Sequence, residues 1–248
     1  MERRVWASDL PGQLGRFLVM TVEDIILHGV VGSHAYGLNH AGSDVDTAGI
    51  FRAPMKLVLG LSGYSETISR TDKDDKDADP DYTFHEVKKF MQLALKANPT
   101  AMEYLWLDEY LTLTHLGSLL VQHRTEFLTQ NVRNSYGGYA RQQLSRFKNT
   151  GDFGSDLKKR AAKNARHLTR LVIQGKEILE TGNLTIKLSE LHVNLCNYMS
   201  ELCIEDPEHF IECADLMLED LDNCKSELPD DVNMEFLNEL LYSIRLSK

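Results

Sequence analysis

The chain has 248 residues, 42% of them hydrophobic, and a formal net charge of −10. That length admits one large domain or two small ones with a buried core, and the acidity argues against a generic nucleic-acid binder. No apolar run approaches a membrane span and the N-terminus lacks the apolar stretch of a signal peptide, so a cytoplasmic protein without a membrane partner is expected; no stable protein partner can be inferred.

The periodicity predicts a short helix over Asp9 to Met20, then a strand over Asp24 to Val31 with little alternation, as in a strand covered on both faces. A glycine-serine turn at Gly32-Ser33 follows, and a second strand over Val45 to Phe51. Met55 to Leu61 reads as a short helix or irregular turn. Thr71 to Asp81 is almost wholly charged and contains Pro80, which predicts a loop at the rim of a site. Tyr82 to Phe84 continues as a third strand, and from His85 the pattern turns helical until about Asn98. Asn98-Pro99 is a helix start, with asparagine as cap and proline in the first turn. Helices are predicted over Leu113–Arg124, Ser135–Lys148, Asp156–Thr181, Ser189–Ile204, Pro207–Lys225 and Val232–Leu246. Gly182 caps the third of these. The shift from mixed to helical pattern divides the chain into a catalytic core, residues 1–110, and a helical domain, residues 111–248.

The chemistry concentrates in Val31-Gly32-Ser33 and, after ten intervening residues, Asp44-Val45-Asp46. Residues i and i+2 of an extended segment point the same way, so Asp44 and Asp46 can converge. Two close carboxylates repel unless a cation sits between them or one is protonated. An all-oxygen set favours Mg²⁺ or Mn²⁺ over zinc. A glycine-serine turn lets backbone N–H groups and a hydroxyl approach a phosphate. Together they suggest phosphoryl or nucleotidyl transfer. Ser43 could hold phosphate or steady its loop, and Tyr36 could touch substrate or belong to the core. His28, His34 and His40 recur every six residues, a spacing that suits neither helix nor strand face, so zinc is not expected. Cys196, Cys203, Cys213 and Cys224 lack C-x-x-C spacing and read as free thiols.

Charge is uneven. Between Arg133 and Lys176 eleven basic residues face only Asp152 and Asp156, and from Leu191 onward fourteen acids face three bases. Such asymmetry suits either a polyanion-facing middle or internal pairing of the two regions.

The string Gly-Ser-x-x-Tyr-Gly-Leu followed by Gly-Ser-Asp-x-Asp-x-x-Gly-Ile-Phe resembles the DNA polymerase β-like nucleotidyltransferase superfamily, and within it the RlaP/YcgL-like group of predicted nucleotidyltransferases, some linked to RNA repair. The resemblance implies an α+β fold: a small mixed sheet with flanking helices, followed by a helical C-terminal domain. It implies attack of an acceptor hydroxyl on the α-phosphorus of a nucleoside triphosphate with two Mg²⁺ (or Mn²⁺) ions held by Asp44, Asp46 and Asp81. Asp79 and Glu86 compete for the third place, but Glu86 should already be helical. Gly32 and Ser33 would take the β- and γ-phosphates. Lys163, His167 and Arg170 fall on one face of a long helix and resemble the family's cationic stripe beside the triphosphate. An RNA 3′ end is the leading acceptor. A protein or small molecule is the alternative, and a non-catalytic nucleotide-binding regulator the reading from another class.

Overall fold

The computed structural model describes residues 24–61, 63–70, 81–149 and 155–247. The helix expected over Asp9 to Met20, the charged loop up to Pro80 and Asp79 within it lie outside the described residues.

Strand β1 (Ile25–Val31) runs antiparallel to β2 (Asp46–Phe51), with Val31 opposite Asp46. Between them lies a short helix, α1 (Gly32–Tyr36), where a simple turn was expected. The second strand starts at Asp46 rather than Val45, so Asp44 sits in the preceding loop and is exposed. Helix α2 (Met55–Val58) follows. An unexpected edge strand, β3 (Thr67–Arg70), pairs antiparallel with β4 (Tyr82–Glu86), and β4 pairs parallel with β2. Two-residue β5 (Thr112–Leu113), also unexpected, closes the other edge against β1. The sheet order is β3-β4-β2-β1-β5. This is the expected small mixed sheet. Thr47 to Phe51 of β2 are all buried, so the central strand is covered on both faces and needs no alternation.

Helix α3 (Val87–Ala94) begins after Glu86, not at His85. Glu86 is extended, and its carboxylate accepts the Lys88 N–H at 2.8 Å, capping the helix instead of joining it. The helix ends at Ala94, before a turn with Ala97 at φ 50°. Helix α4 (Pro99–Glu103) starts as read: Asn98 Oδ1 accepts from Ala101 N at 3.1 Å.

The remainder is helical: α5 (His115–Gln122), α6 (Asn131–Lys148), α7 (Ser155–Thr181), α8 (Glu190–Glu205), α9 (Pro207–Asn223) and α10 (Met234–Leu246). Caps explain most boundary differences. Thr114, Ser189 and Asn233 hold N–H groups of the first turns of α5, α8 and α10, which begin one residue later. Gly182 ends α7 at φ 66°. Helix α7 is the axis, with Ala165, Leu168, Leu171 and Ile178 inside an apolar core that continues through Leu27 and Ile50 of the sheet. Helix α10 returns to the end of the sheet where β2 and β4 finish. Arg52 Nη1 donates to Ile244 O at 3.2 Å and Ser247 O at 2.7 Å, and Arg245 meets Glu86 at 2.8 Å.

Three cations of the basic stretch, on α6 and α7, pair with acids of α9. Arg141 meets Asp222, Lys176 meets Asp220 and Lys148 reaches Asp215 at 3.5 Å. All four cysteines are free thiols, with Cys196 and Cys203 buried.

Candidate active site

A cleft of about 320 Å³ opens where β1, β2 and β4 present their ends. Asp46, Asp81, Gly32, Tyr36, His85 and Glu103 are among the residues that line it. The sheet explains the first two. In the parallel pair, Thr47 lies opposite Tyr82 and Thr47 N donates to Asp81 O at 2.9 Å. Asp46 and Asp81 therefore stand side by side at the starts of adjacent strands. Burial and then the Asp81 charge raise the Asp46 carboxyl above its ordinary range; Lys163 opposes the shift and Asp44 adds to it.

Glu86, the competitor for the third place, is excluded by its position. It ends the same strand, is fully buried, and pairs with Arg245. Asp44 stays at the rim. Among the described residues, no three His, Cys, Asp or Glu side chains converge closely enough to hold an ion as they stand. The donor chemistry nonetheless fits a hard divalent cation: carboxylate oxygens that repel one another at the end of a sheet.

Gly32 joins the two halves of the site. Its φ is +72°, and a Cβ there would lie 2.6 Å from Asp46 Oδ2. Only glycine both turns the chain into α1 and leaves room for the carboxylate. Ser33 is the second residue of α1, where backbone N–H groups lack partners within the helix. Gly37, at φ 73°, closes α1. His34 Nε2 donates to Ser43 O at 3.1 Å, tying the loop that carries Asp44 back to α1. Ser43 Oγ accepts the His40 N–H at 2.9 Å, so this hydroxyl steadies the loop.

The three basic residues of α7 separate. Lys163 is exposed and acts on Asp46. His167 is pushed down to about 3 by burial and by the charges of Arg170, Lys163 and Arg146, and so is neutral at pH 7. Arg170 is only 5% exposed. Its Nη1 donates to Glu103 Oε1 at 2.5 Å and Gln174 Oε1 at 2.6 Å, and its guanidinium lies 3.9 Å from the centre of the Tyr36 ring. Burial acts to lower its pKa, but Tyr36 and Glu103 outweigh that and hold it raised. Tyr36 belongs to both readings: it lines the cleft, and its hydroxyl donates to Glu103 Oε2 at 2.5 Å.

Glu103 and Arg146 were not singled out from sequence. Asn98-Pro99 marks where α4 begins, but nothing local shows that its last residue meets Tyr36 and Arg170, each 67 positions away.

The sheet, the glycine-serine turn and the strand-end carboxylates define a nucleotidyltransferase of the polymerase beta kind. Residues 11–203 match the model of RlaP, the RNA repair pathway DNA polymerase beta family, and the chain belongs to that family. It is also similar to a protein of Enterobacteria phage T4, the uncharacterized 38.9 kDa protein in the nrdC-mobD intergenic region. Identity is 31% over 125 residues, which cover 47% of this chain and 36% of the phage protein. The chain thus matches about a third of that relative's length. A solved nucleotidyltransferase-like protein from Exiguobacterium sibiricum aligns with 82% of this chain and 69% of its own, at 12% identity and a TM-score of 0.30. Among the described residues no helix is long and apolar enough to cross a membrane.

Proposed function

We propose that this protein moves a nucleoside monophosphate from a nucleoside triphosphate to an acceptor hydroxyl, with an RNA 3′ end as acceptor. The observation that carries the reading is Asp46 beside Asp81, with Gly32 against Asp46, in one cleft. The acceptor oxygen forms a bond to the α-phosphorus, the bond from that phosphorus to the bridging oxygen breaks, pyrophosphate leaves, and the hydroxyl proton passes to solvent. Asp44, Asp46 and Asp81 would hold Mg²⁺ or Mn²⁺. Ions held there would lower the pKa of the acceptor hydroxyl and neutralise phosphate charge. Gly32 and Ser33 take the β- and γ-phosphates, and Lys163, with neutral His167 beside it, faces the leaving pyrophosphate. The RNA acceptor is supported by the family's place in an RNA repair pathway.

A second reading has its own observation. Arg141, Lys148 and Lys176 are paired with acids of α9, so the basic stretch presents fewer cations than its sequence suggests. That favours nucleotidylation of a protein or small molecule. The test is a transfer assay with each α-labelled nucleoside triphosphate, Mg²⁺ or Mn²⁺, and small RNA. Label in RNA that disappears in Asp44→Ala and Asp46→Ala supports the first reading, and label on protein alone supports the second. Turnover retained in Asp46→Ala overturns both.

A further inference from the structure

Resting on that reading, we infer that Glu103 and Tyr36 are positioning residues for the triphosphate, and that Arg170 serves them from beneath rather than touching the nucleotide. Tyr36 is the last residue of α1, whose first two are Gly32 and Ser33. In a five-residue helix, fixing one end fixes the other. Three contacts fix it. The Tyr36 hydroxyl donates to Glu103 Oε2 at 2.5 Å, its ring lies on the Arg170 guanidinium, and its carbonyl accepts the Leu188 N–H at 3.1 Å.

The network behind Tyr36 runs on into α7. Arg170 Nη1 bonds Glu103 Oε1 and Gln174 Oε1, and Gln174 Nε2 donates to Thr185 O at 3.1 Å. Both carboxylate oxygens of Glu103 are thereby used, one on the side of the cleft and one on α7. The Glu103 side chain is 2% exposed and that of Arg170 6%. A buried carboxylate near a metal-binding cleft would compete for the cation if it were not itself neutralised, and Arg170 supplies that charge. Directed hydrogen bonds inside a low-dielectric network restrict its members to few geometries. This one holds the turn that receives the β- and γ-phosphates in register with Asp46.

The test compares two affinities on the full-length protein with Mn²⁺. The probes are whichever of ATP, GTP, CTP and UTP binds most tightly, and its monophosphate. Tyr36→Phe keeps the ring over Arg170 and removes only the bond to Glu103. It should weaken triphosphate binding about tenfold while monophosphate binding stays within about twofold. Glu103→Gln should shift the same ratio in the same direction. The double variant should lose no more than the worse single one, because both act through one contact. A general loss of folded protein lowers both affinities equally and leaves the ratio unchanged. An unchanged ratio in both single variants therefore overturns the positioning role. If the unaltered protein itself binds triphosphate no better than monophosphate, the nucleotidyltransferase reading fails and this inference with it.

Discussion

Two buried ion pairs, one joining α7 to α4 and the other α10 to the sheet, are built differently. At Glu103–Arg170 each atom at the contact has a directed partner, shared among Tyr36, Glu103, Arg170 and Gln174. At Glu86–Arg245 the charges approach to 2.8 Å, yet Glu86 Oε1 and both Arg245 Nη atoms find no well-directed hydrogen bond among the described residues. Burial pushes the Glu86 carboxyl up, and Arg245 with the backbone N–H groups at the start of α3 only partly offsets it. The first pair lies against the cleft and specifies a geometry. The second lies at the opposite end of β4 from Asp81 and acts as a latch for α10. A satisfied network is needed where a position must be held, whereas a latch needs only to hold on.

The largest effects should come from breaking each pair. Arg245→Ala and Arg170→Ala each leave a carboxylate buried without its cation, and each should cost about 3–5 kcal/mol in urea denaturation. The difference shows on replacing both partners. Glu86→Leu with Arg245→Met should regain most of that stability and leave nucleotide affinity intact. Glu103→Leu with Arg170→Met should leave triphosphate binding impaired even where stability returns. Equal recovery of binding in the two double variants would erase the distinction.

Neither pair was legible in the sequence, and the reason is range. The glycine-serine turn, the Asp-x-Asp string, the Asn98 cap and the Gly182 stop are local devices, readable because each residue acts on neighbours within a few positions. The face of α7 that carries Arg170 is visible in the sequence, whereas Glu103, its partner from α4, is not. Edge strands β3 and β5 escaped for a related reason. Each is short, and its hydrogen bonds go to β4 or β1 rather than to a pattern of its own. The apolar period that begins close by places Glu86 in a helix, whereas its burial beside Arg245 fixes it in the strand.

Next in size is the pH response of His167. Its pKa falls from the ordinary 6.5 to about 3 on folding, under burial and the charges of Arg170, Lys163 and Arg146. The unfolded chain therefore takes up this proton first, and stability is lost as pH falls below about 6.5. His167→Gln should remove that loss. Between pH 7 and pH 5 the variant should lose on the order of 1–2 kcal/mol less than the unaltered protein in parallel denaturation curves.

Asp46 works in the opposite direction. Its raised carboxyl adds stability only under acid conditions and loses it as pH rises through the shifted pKa. At pH 7 the ionised group opposes folding of the metal-free protein. Asp46→Asn should abolish transfer while raising the melting temperature by roughly 1–3 °C. A fall in melting temperature would mean that the carboxylate is structurally compensated.

The smallest effect serves as the control. Lys148 and Asp215 meet at 3.5 Å on the exposed surface, and Lys148→Ala should change stability by no more than about 0.5 kcal/mol.

Gly32 sets a limit on how the chain can drift. The backbone hand at this residue and the space for Asp46 are separate requirements that fall on a single codon. Gly42 shares the positive φ, at +87°, but a Cβ there would meet nothing within 4 Å. A saturation library selected for activity should therefore return glycine alone at position 32, and at position 42 also asparagine and aspartate, which tolerate the left-handed region. Position 42 has latitude for substitution, whereas position 32 has none.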